Sequence, residues 1–185
     1  IAVITILGIQ GQKENIKTEG CARYYFAGES PDKSQEFFNT LPLLADKFGA
    51  ENIVPIYTTD AREFNEAVMA HYANFQINFN DSYKVTDEKN FEALFEIFER
   101  VIDDLIKSGV GKIVFDVTHG FRHLPLLALV DLLIQNFSNV SQIDQILFAK
   151  EIEKFKLYEI IDLRQYLDIA NIAFVIAAFS QNYTL

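Results

Sequence analysis

The sequence contains a single cysteine, and this scarcity excludes two kinds of architecture. Cys21 cannot form a disulfide within the chain, so no disulfide framework is possible. No spacing of cysteine and histidine resembles a metal site, so we expect no metal. A reducing cytoplasm is the expected location.

Long apolar runs are also absent. No uninterrupted stretch approaches the ~20 apolar residues that a membrane-spanning helix needs. No cationic leader precedes an apolar segment with a cleavage site, so a secretory signal is not predicted. Half of the 185 residues are nonetheless hydrophobic, which is enough for the buried core of one domain. We therefore expect a domain that has no membrane association.

Basic residues are few relative to acidic ones. The chain has 16 Lys and Arg residues and 26 Asp and Glu residues, which gives a net charge of −10. That balance argues against a basic face that binds a long nucleic acid duplex. Many of the acids fall between residues 81 and 104, on a predicted outer helix, so a small anionic ligand elsewhere is compatible with the charge.

Residues 112–125 form the stretch around which the chain is organised. Ile113 to Val117 reads as a buried strand, Asp116 to Gly120 as a polar turn, and Pro125 as the first turn of an apolar helix from Leu126 to Phe137. Strand, turn and buried helix make half of a βαβ unit, and in such sheets ligands bind at the carboxyl ends of the strands. The donors there suit an anion, most simply a phosphate; they are Thr118, His119, Gly120 and Arg122.

Other segments complete an alternating pattern of strands and helices. Strands are predicted at 1–7, 22–26, 52–58, 143–149 and 155–160, and helices at 31–48, 61–72, 87–105 and 162–179. Ser30 is expected to cap the first helix, and Pro42 to kink it. The pattern predicts an α/β fold: a Rossmann-like, doubly wound, mostly parallel sheet with an antiparallel C-terminal edge hairpin, followed by an apolar C-terminal linker helix.

The turn after the first strand is a second candidate for ligand contact. Gly8-Ile9-Gln10-Gly11 lets the backbone approach a ligand, although a plain surface turn is the alternative. The third glycine and the immediate helix of a dinucleotide-binding motif are missing. Arg23 and Thr58 lie near further predicted strand ends.

Four interpretations of residues 116–122 remain open on residue types alone. Asp116 and Thr118 could simply cap the helix, or the turn could bind phosphate with Arg122 as the charged group. His119 could act as a base oriented by Asp116. A metal site is the fourth possibility, but it lacks a third ligand nearby.

The run Asp116-Val117-Thr118-His119-Gly120-Phe121-Arg122-His123-Leu124-Pro125 closely resembles the DxTHG signature of one branch of CRISPR-associated Rossmann-fold (CARF) proteins. Ile4 to Gly8 is similar to that family's first strand and glycine turn. Residues 162–185 are similar to its linker helix. Ile9-Gln10 departs from the Leu-Gly-Thr-Gly sequence that is usual in the first loop of the family.

The resemblance implies a homodimer that binds a cyclic oligoadenylate, the second messenger of type III CRISPR complexes, across its two-fold axis. The ligand itself would be the only bound group, with no further cofactor. Base recognition would fall to Tyr24, Gln10 or Phe121. The ligand-binding residues implied are Gly8, Ile9, Gln10, Gly11, Arg23, Thr58, Thr118, His119, Gly120, Phe121 and Arg122.

The resemblance also implies a division into residues 1–161, the sensor domain, and residues 162–185, a linker or dimerisation helix that leads to a missing or truncated effector. In many relatives the effector is a HEPN ribonuclease, whose Arg-x(4–6)-His pattern does not occur after Asp162. A ring nuclease that cleaves its own ligand through His119, Thr118 or Arg122 is the alternative. An unrelated Rossmann-like enzyme for a phosphorylated small molecule is the third hypothesis.

Overall fold

The computed structural model describes residues 1–9, 20–72, 74–86, 91–119, 143–166, 168, 169 and 172. The predicted helix from Leu126 to Phe137 lies outside the described residues. So do five of the predicted ligand-binding residues, namely Gln10, Gly11, Gly120, Phe121 and Arg122.

The described residues form one seven-stranded sheet in the order β3-β2-β7-β6-β5-β1-β4. The four strands β4, β1, β5 and β6 are parallel to one another, which confirms the predicted Rossmann-like, mostly parallel α/β sheet. In chain order the strands are β1 (Ala2–Ile6), β2 (Ala22–Phe26), β3 (Gln35–Phe37), β4 (Ile53–Ile56), β5 (Ile113–Asp116), β6 (Ile143–Glu153) and β7 (Leu157–Asp162).

The predicted antiparallel hairpin is present as β6 and β7. Its turn comes later than the sequence indicated, because β6 continues to Glu153. Phe155 in the turn has a φ of 58°, a left-handed conformation that tight turns require. β2 pairs in parallel with β7, and β3 pairs with β2, so two further strands extend the sheet beyond the hairpin.

Helix α3 (Phe91–Lys107) covers one face of the sheet. Its buried residues recur every three or four positions, as at Leu94, Phe98 and Val101, because that spacing keeps them on one side of a helix. Phe98 packs on Phe115 of β5, with ring centroids 6.2 Å apart. The acids of the opposite side, such as Glu99, are exposed, as the charge pattern predicted.

The opposite face of the sheet packs against helix α1 (Thr40–Phe48), which buries Leu41 and Leu44. The prediction of one helix over 31–48 is wrong. Ser30 caps only a 3-10 turn, and the chain then forms β3, whose backbone pairs with β2. Asn39 is the true N-cap, and Pro42 falls in the first helical turn, where its missing N–H breaks no bond and no kink is needed.

Helix α2 (Thr59–Met69) follows β4, and an irregular segment leads from it to α3. After β7, residues 164–166, 168, 169 and 172 are helical, in agreement with the start of the predicted C-terminal helix. Tyr166, Ile169 and Ile172 are each more than 60% exposed there. No helix in the described ranges is long and apolar enough to cross a membrane.

Candidate functional site

The carboxyl ends of β1, β4, β5 and β6 lie along one edge of the sheet, because these strands are parallel. Gly8 and Ile9 follow β1, Thr58 follows β4, and Thr118 and His119 follow β5. The structure thus brings five of the predicted ligand-binding residues to the same edge.

A buried carboxylate fixes the end of β5. Asp116 is 1% exposed, and its Oδ2 accepts hydrogen bonds from the hydroxyls of Thr5 (2.8 Å) and Thr40 (3.2 Å). Its Oδ1 accepts from the backbone N–H of Thr118 at 3.1 Å. A buried charge is tolerated only when donors surround it. Asp116 therefore joins β1, the first residue of α1, and the turn that carries the predicted site.

Thr118 is held from its other side by β6. Its Oγ1 accepts a hydrogen bond from the backbone N–H of Ala149 at 2.9 Å. This contact uses a lone pair of the hydroxyl and not its proton. The side chain is consequently held in one orientation by β6.

His119 is partly buried beside Asp116. Burial, which disfavours the charged imidazolium, lowers the pKa of His119 below its ordinary value, and the neighbouring Asp116 carboxylate offsets part of this effect. The lowered pKa favours the neutral ring at pH 7. A neutral imidazole can accept a proton at one nitrogen and donate at the other.

Two buried amides support the turn after β1. Asn65 of α2 donates from Nδ2 to the carbonyl oxygen of Gly8 at 3.1 Å. Its Oδ1 accepts from Nδ2 of Asn39 at 2.9 Å, and Asn39 in turn caps α1 through the N–H of Leu41. The glycine turn and the start of α1 are thereby linked through α2.

Two other predicted ligand-binding residues, Thr58 and Arg23, lie at the start of α2 and on β2, respectively. The Oγ1 of Thr58 accepts from the N–H of Ala61 at 3.3 Å as the N-cap of α2. Arg23 is exposed on β2, on the opposite face of the sheet from the neighbouring Tyr24. Tyr24 is 3% exposed and stacks on Tyr158 at 5.2 Å, so it packs in the core rather than presenting a face to a base.

An open, mostly parallel sheet with a polar turn at its carboxyl edge defines a Rossmann-like α/β domain. A family model described as "CRISPR system endoribonuclease Csx1, CARF domain" matches residues 63–161, more than half of the chain. The chain belongs to this CARF family, and it therefore carries a CRISPR-associated sensor domain. A search of curated proteins found no match.

Sequence reasoning did not find the supporting residues Thr5, Asn39, Thr40 and Asn65. Each is at most 2% exposed, although each is polar. One signal was present, since Thr5 interrupts an otherwise apolar strand. Within the described ranges, no group of three or more His, Cys, Asp or Glu could hold a metal ion.

The variant Asp116→Asn tests whether the buried carboxylate holds these elements together. The amide keeps the shape but removes the charge and one acceptor, so we expect a loss of about 1–3 kcal/mol in the free energy of unfolding, measured in urea. Asp144→Asn is the control, because Asp144 is exposed and forms an exposed ion pair with Lys112, an interaction worth about 0.5 kcal/mol or less. Equal losses in the two variants would contradict the role of Asp116.

The lowered pKa of His119 predicts a dependence of stability on pH. Since the folded protein binds this proton less readily than the unfolded chain, the contribution of His119 is complete above about pH 6.5 and is lost as pH falls through the folded pKa. We expect His119→Gln to flatten the slope of unfolding free energy between pH 7 and 5 by at most ~1.4 kcal/mol per pH unit. A slope that is identical in wild type and His119→Gln would refute the assignment.

Proposed function

We propose that this domain is a cytoplasmic sensor of type III CRISPR antiviral signalling that binds a cyclic oligoadenylate as a homodimer and controls a C-terminal effector domain. The observation that carries the proposal is the turn Thr118-His119 at the carboxyl edge of a CARF-family sheet. The buried Asp116 holds this turn in place by accepting a hydrogen bond from the N–H of Thr118. The ligand is an RNA ring that carries one negative charge per phosphate.

The electrostatics of the edge support an anionic ligand despite the net charge of −10. The Asp116 carboxylate is buried and accepts three hydrogen bonds from neutral donors, so it is stabilised within the protein and is not exposed toward a ligand. The exposed acids of α3, such as Glu99 and Asp103, lie on the outer side of that helix. Thr118 offers its hydroxyl proton, and Arg122 supplies the fixed positive charge in this proposal.

Two-fold symmetry supports the dimer. A ring with an even number of identical nucleotides has its own two-fold axis, so two copies of the chain can present the same turn to each half of the ring. The exposed Tyr166, Ile169 and Ile172 at the start of the C-terminal helix favour a protein partner there. For signalling, the ring must bind one dimer arrangement more tightly than another, because a ligand shifts only an equilibrium in which its affinities differ.

Ring cleavage is the second candidate, and the state of His119 favours it. A neutral histidine close to a bound ring could take the proton of a ribose 2′-hydroxyl as that oxygen attacks the neighbouring phosphorus. The attack forms a 2′,3′-cyclic phosphate and breaks the bond to the 5′-oxygen of the next nucleotide, which leaves with a proton from water. The same lowered pKa is compatible with a purely structural histidine. A measurement of ring cleavage therefore decides between the sensor and the ring nuclease.

Incubation of the protein with cyclic oligoadenylates of four and six units tests both functions. We expect binding at one ring per dimer, with the ring intact when it is recovered by chromatography. Linear products would show that the protein cleaves its ligand, and the ring nuclease would then be the better description of its function. Failure to bind either ring, together with binding of a mononucleotide or a sugar phosphate, would contradict the proposal.

Arg122→Ala tests the anion contact. We expect it to weaken ring binding about 10-fold or more, since a hydrogen bond to a charged group contributes about 1.5–3 kcal/mol. Arg100→Ala is the matched control, because Arg100 is exposed on α3 and donates to the Ser82 carbonyl. An unchanged affinity in Arg122→Ala would exclude the anion contact, while a loss in both variants would point to general electrostatic attraction.

A further inference from the structure

The segment between α2 and α3 contains a strand-like stretch that the sheet does not use. Residues 74–80 alternate in burial: Phe75, Ile77 and Phe79 are half-buried against the core, and the polar residues between them are exposed. A period of two is the mark of an extended strand with one buried face. Among the described residues, no backbone hydrogen bond involves residues 76–79. The stretch is thus extended and unpaired.

This stretch lies beside the outermost strand on one side of the sheet. The ring of Phe79 contacts Tyr57 just after β4, with centroids 5.3 Å apart. Only β1 lies between β4 and β5 in the sheet, and Tyr57 adjoins Thr58 at the carboxyl edge, so the stretch borders the proposed ligand edge without including the turn after β5. Free backbone donors and acceptors along an exposed extended segment are a template for pairing with another strand.

The sequence of the stretch identifies the kind of strand that fits it. Asn-Phe-Gln-Ile-Asn-Phe-Asn reads almost the same in both directions, with Gln76 and Asn78 exchanging places. In an antiparallel pair of two copies centred on Ile77, Phe75 faces Phe79 and Gln76 faces Asn78. Aromatic pairs on one face and amide pairs on the other are the cross-strand combinations that stabilise sheets.

Charge and shape also favour a second copy. Residues 72–80 contain no acid or base, so they can meet without the repulsion that a chain of net charge −10 otherwise imposes on self-association. A cavity of about 480 Å³ opens beside the apolar row, between it and α2, where Met69 and Ala70 form part of the wall.

We propose that residues 74–80 form a two-fold interface in which two copies of this chain pair as antiparallel strands. An isologous contact of this kind pairs two copies through the same surface and is separate from the two-fold contact proposed across the ligand, so a chain that uses both assembles beyond a dimer. The interface goes beyond the proposed sensor function, since it neither uses the turn after β5 nor needs a ligand.

Paired charge variants test the interface at exposed positions that leave the core untouched. Gln76→Lys/Asn78→Lys places like charges opposite one another across the axis, and Gln76→Glu/Asn78→Glu does the same with the other sign. We expect each variant to have half the wild-type mass by light scattering over a dilution series. An equimolar mixture of the two should recover the wild-type mass, because lysines then face glutamates.

Thr86→Lys/Gly111→Lys is the control, since it adds the same charge at exposed positions outside the stretch. We expect it to keep the wild-type mass. A wild type that is monomeric throughout the series, or a wild-type mass retained by both charged variants, would overturn the proposal. Ring binding, measured separately, tests the sensor function, so the two proposals can fail independently.

Discussion

The buried charge of Asp116 is the constraint on which the candidate site depends. An isolated carboxylate in a protein interior is strongly disfavoured, so the surrounding structure must supply donors. Thr5 supplies one from β1, Thr40 supplies another from the start of α1, and the Thr118 N–H closes the turn on the same carboxylate. The need to satisfy one charge thereby fixes the relative positions of two strands, a helix N-terminus and the turn.

A buried polar network of this kind favours precision at the edge of the sheet more than stability. Apolar residues of similar volume often stabilise a core as well as a buried charge does, but they do not specify one orientation. A second set of hydrogen bonds runs from Asn39 through Asn65 to the carbonyl of Gly8, which also lies at the carboxyl edge. The two sets meet at the start of α1, where Asn39 and Thr40 are adjacent in the chain, so the positions of the two turns proposed for ligand binding are coupled through that helix N-terminus.

Residue patterns predicted most of the sheet, because strands β1, β4 and β5 are short apolar runs that are buried on both faces. The pattern failed over residues 31–48, where β3 carries polar residues that any helix could also carry. Pairing with β2 decides that segment, and pairing is a long-range property that local spacing does not report. The turn residues Thr118 and His119 were predicted, whereas Asn39 and Asn65 were not, since a contact between distant amides leaves no periodic signal.

The same limit explains why no strand was predicted over residues 74–80. Their alternation of amides and apolar residues is a strand pattern, but asparagine is depleted in strands and common in loops, so composition obscured the period. Burial separates the two interpretations, because only the apolar members of the stretch turn toward the core. The apolar side chains of residues 74–80 pack within one chain, but the backbone of the stretch has no strand to pair with. Because its sequence is nearly palindromic, a second copy of the same stretch is the simplest partner.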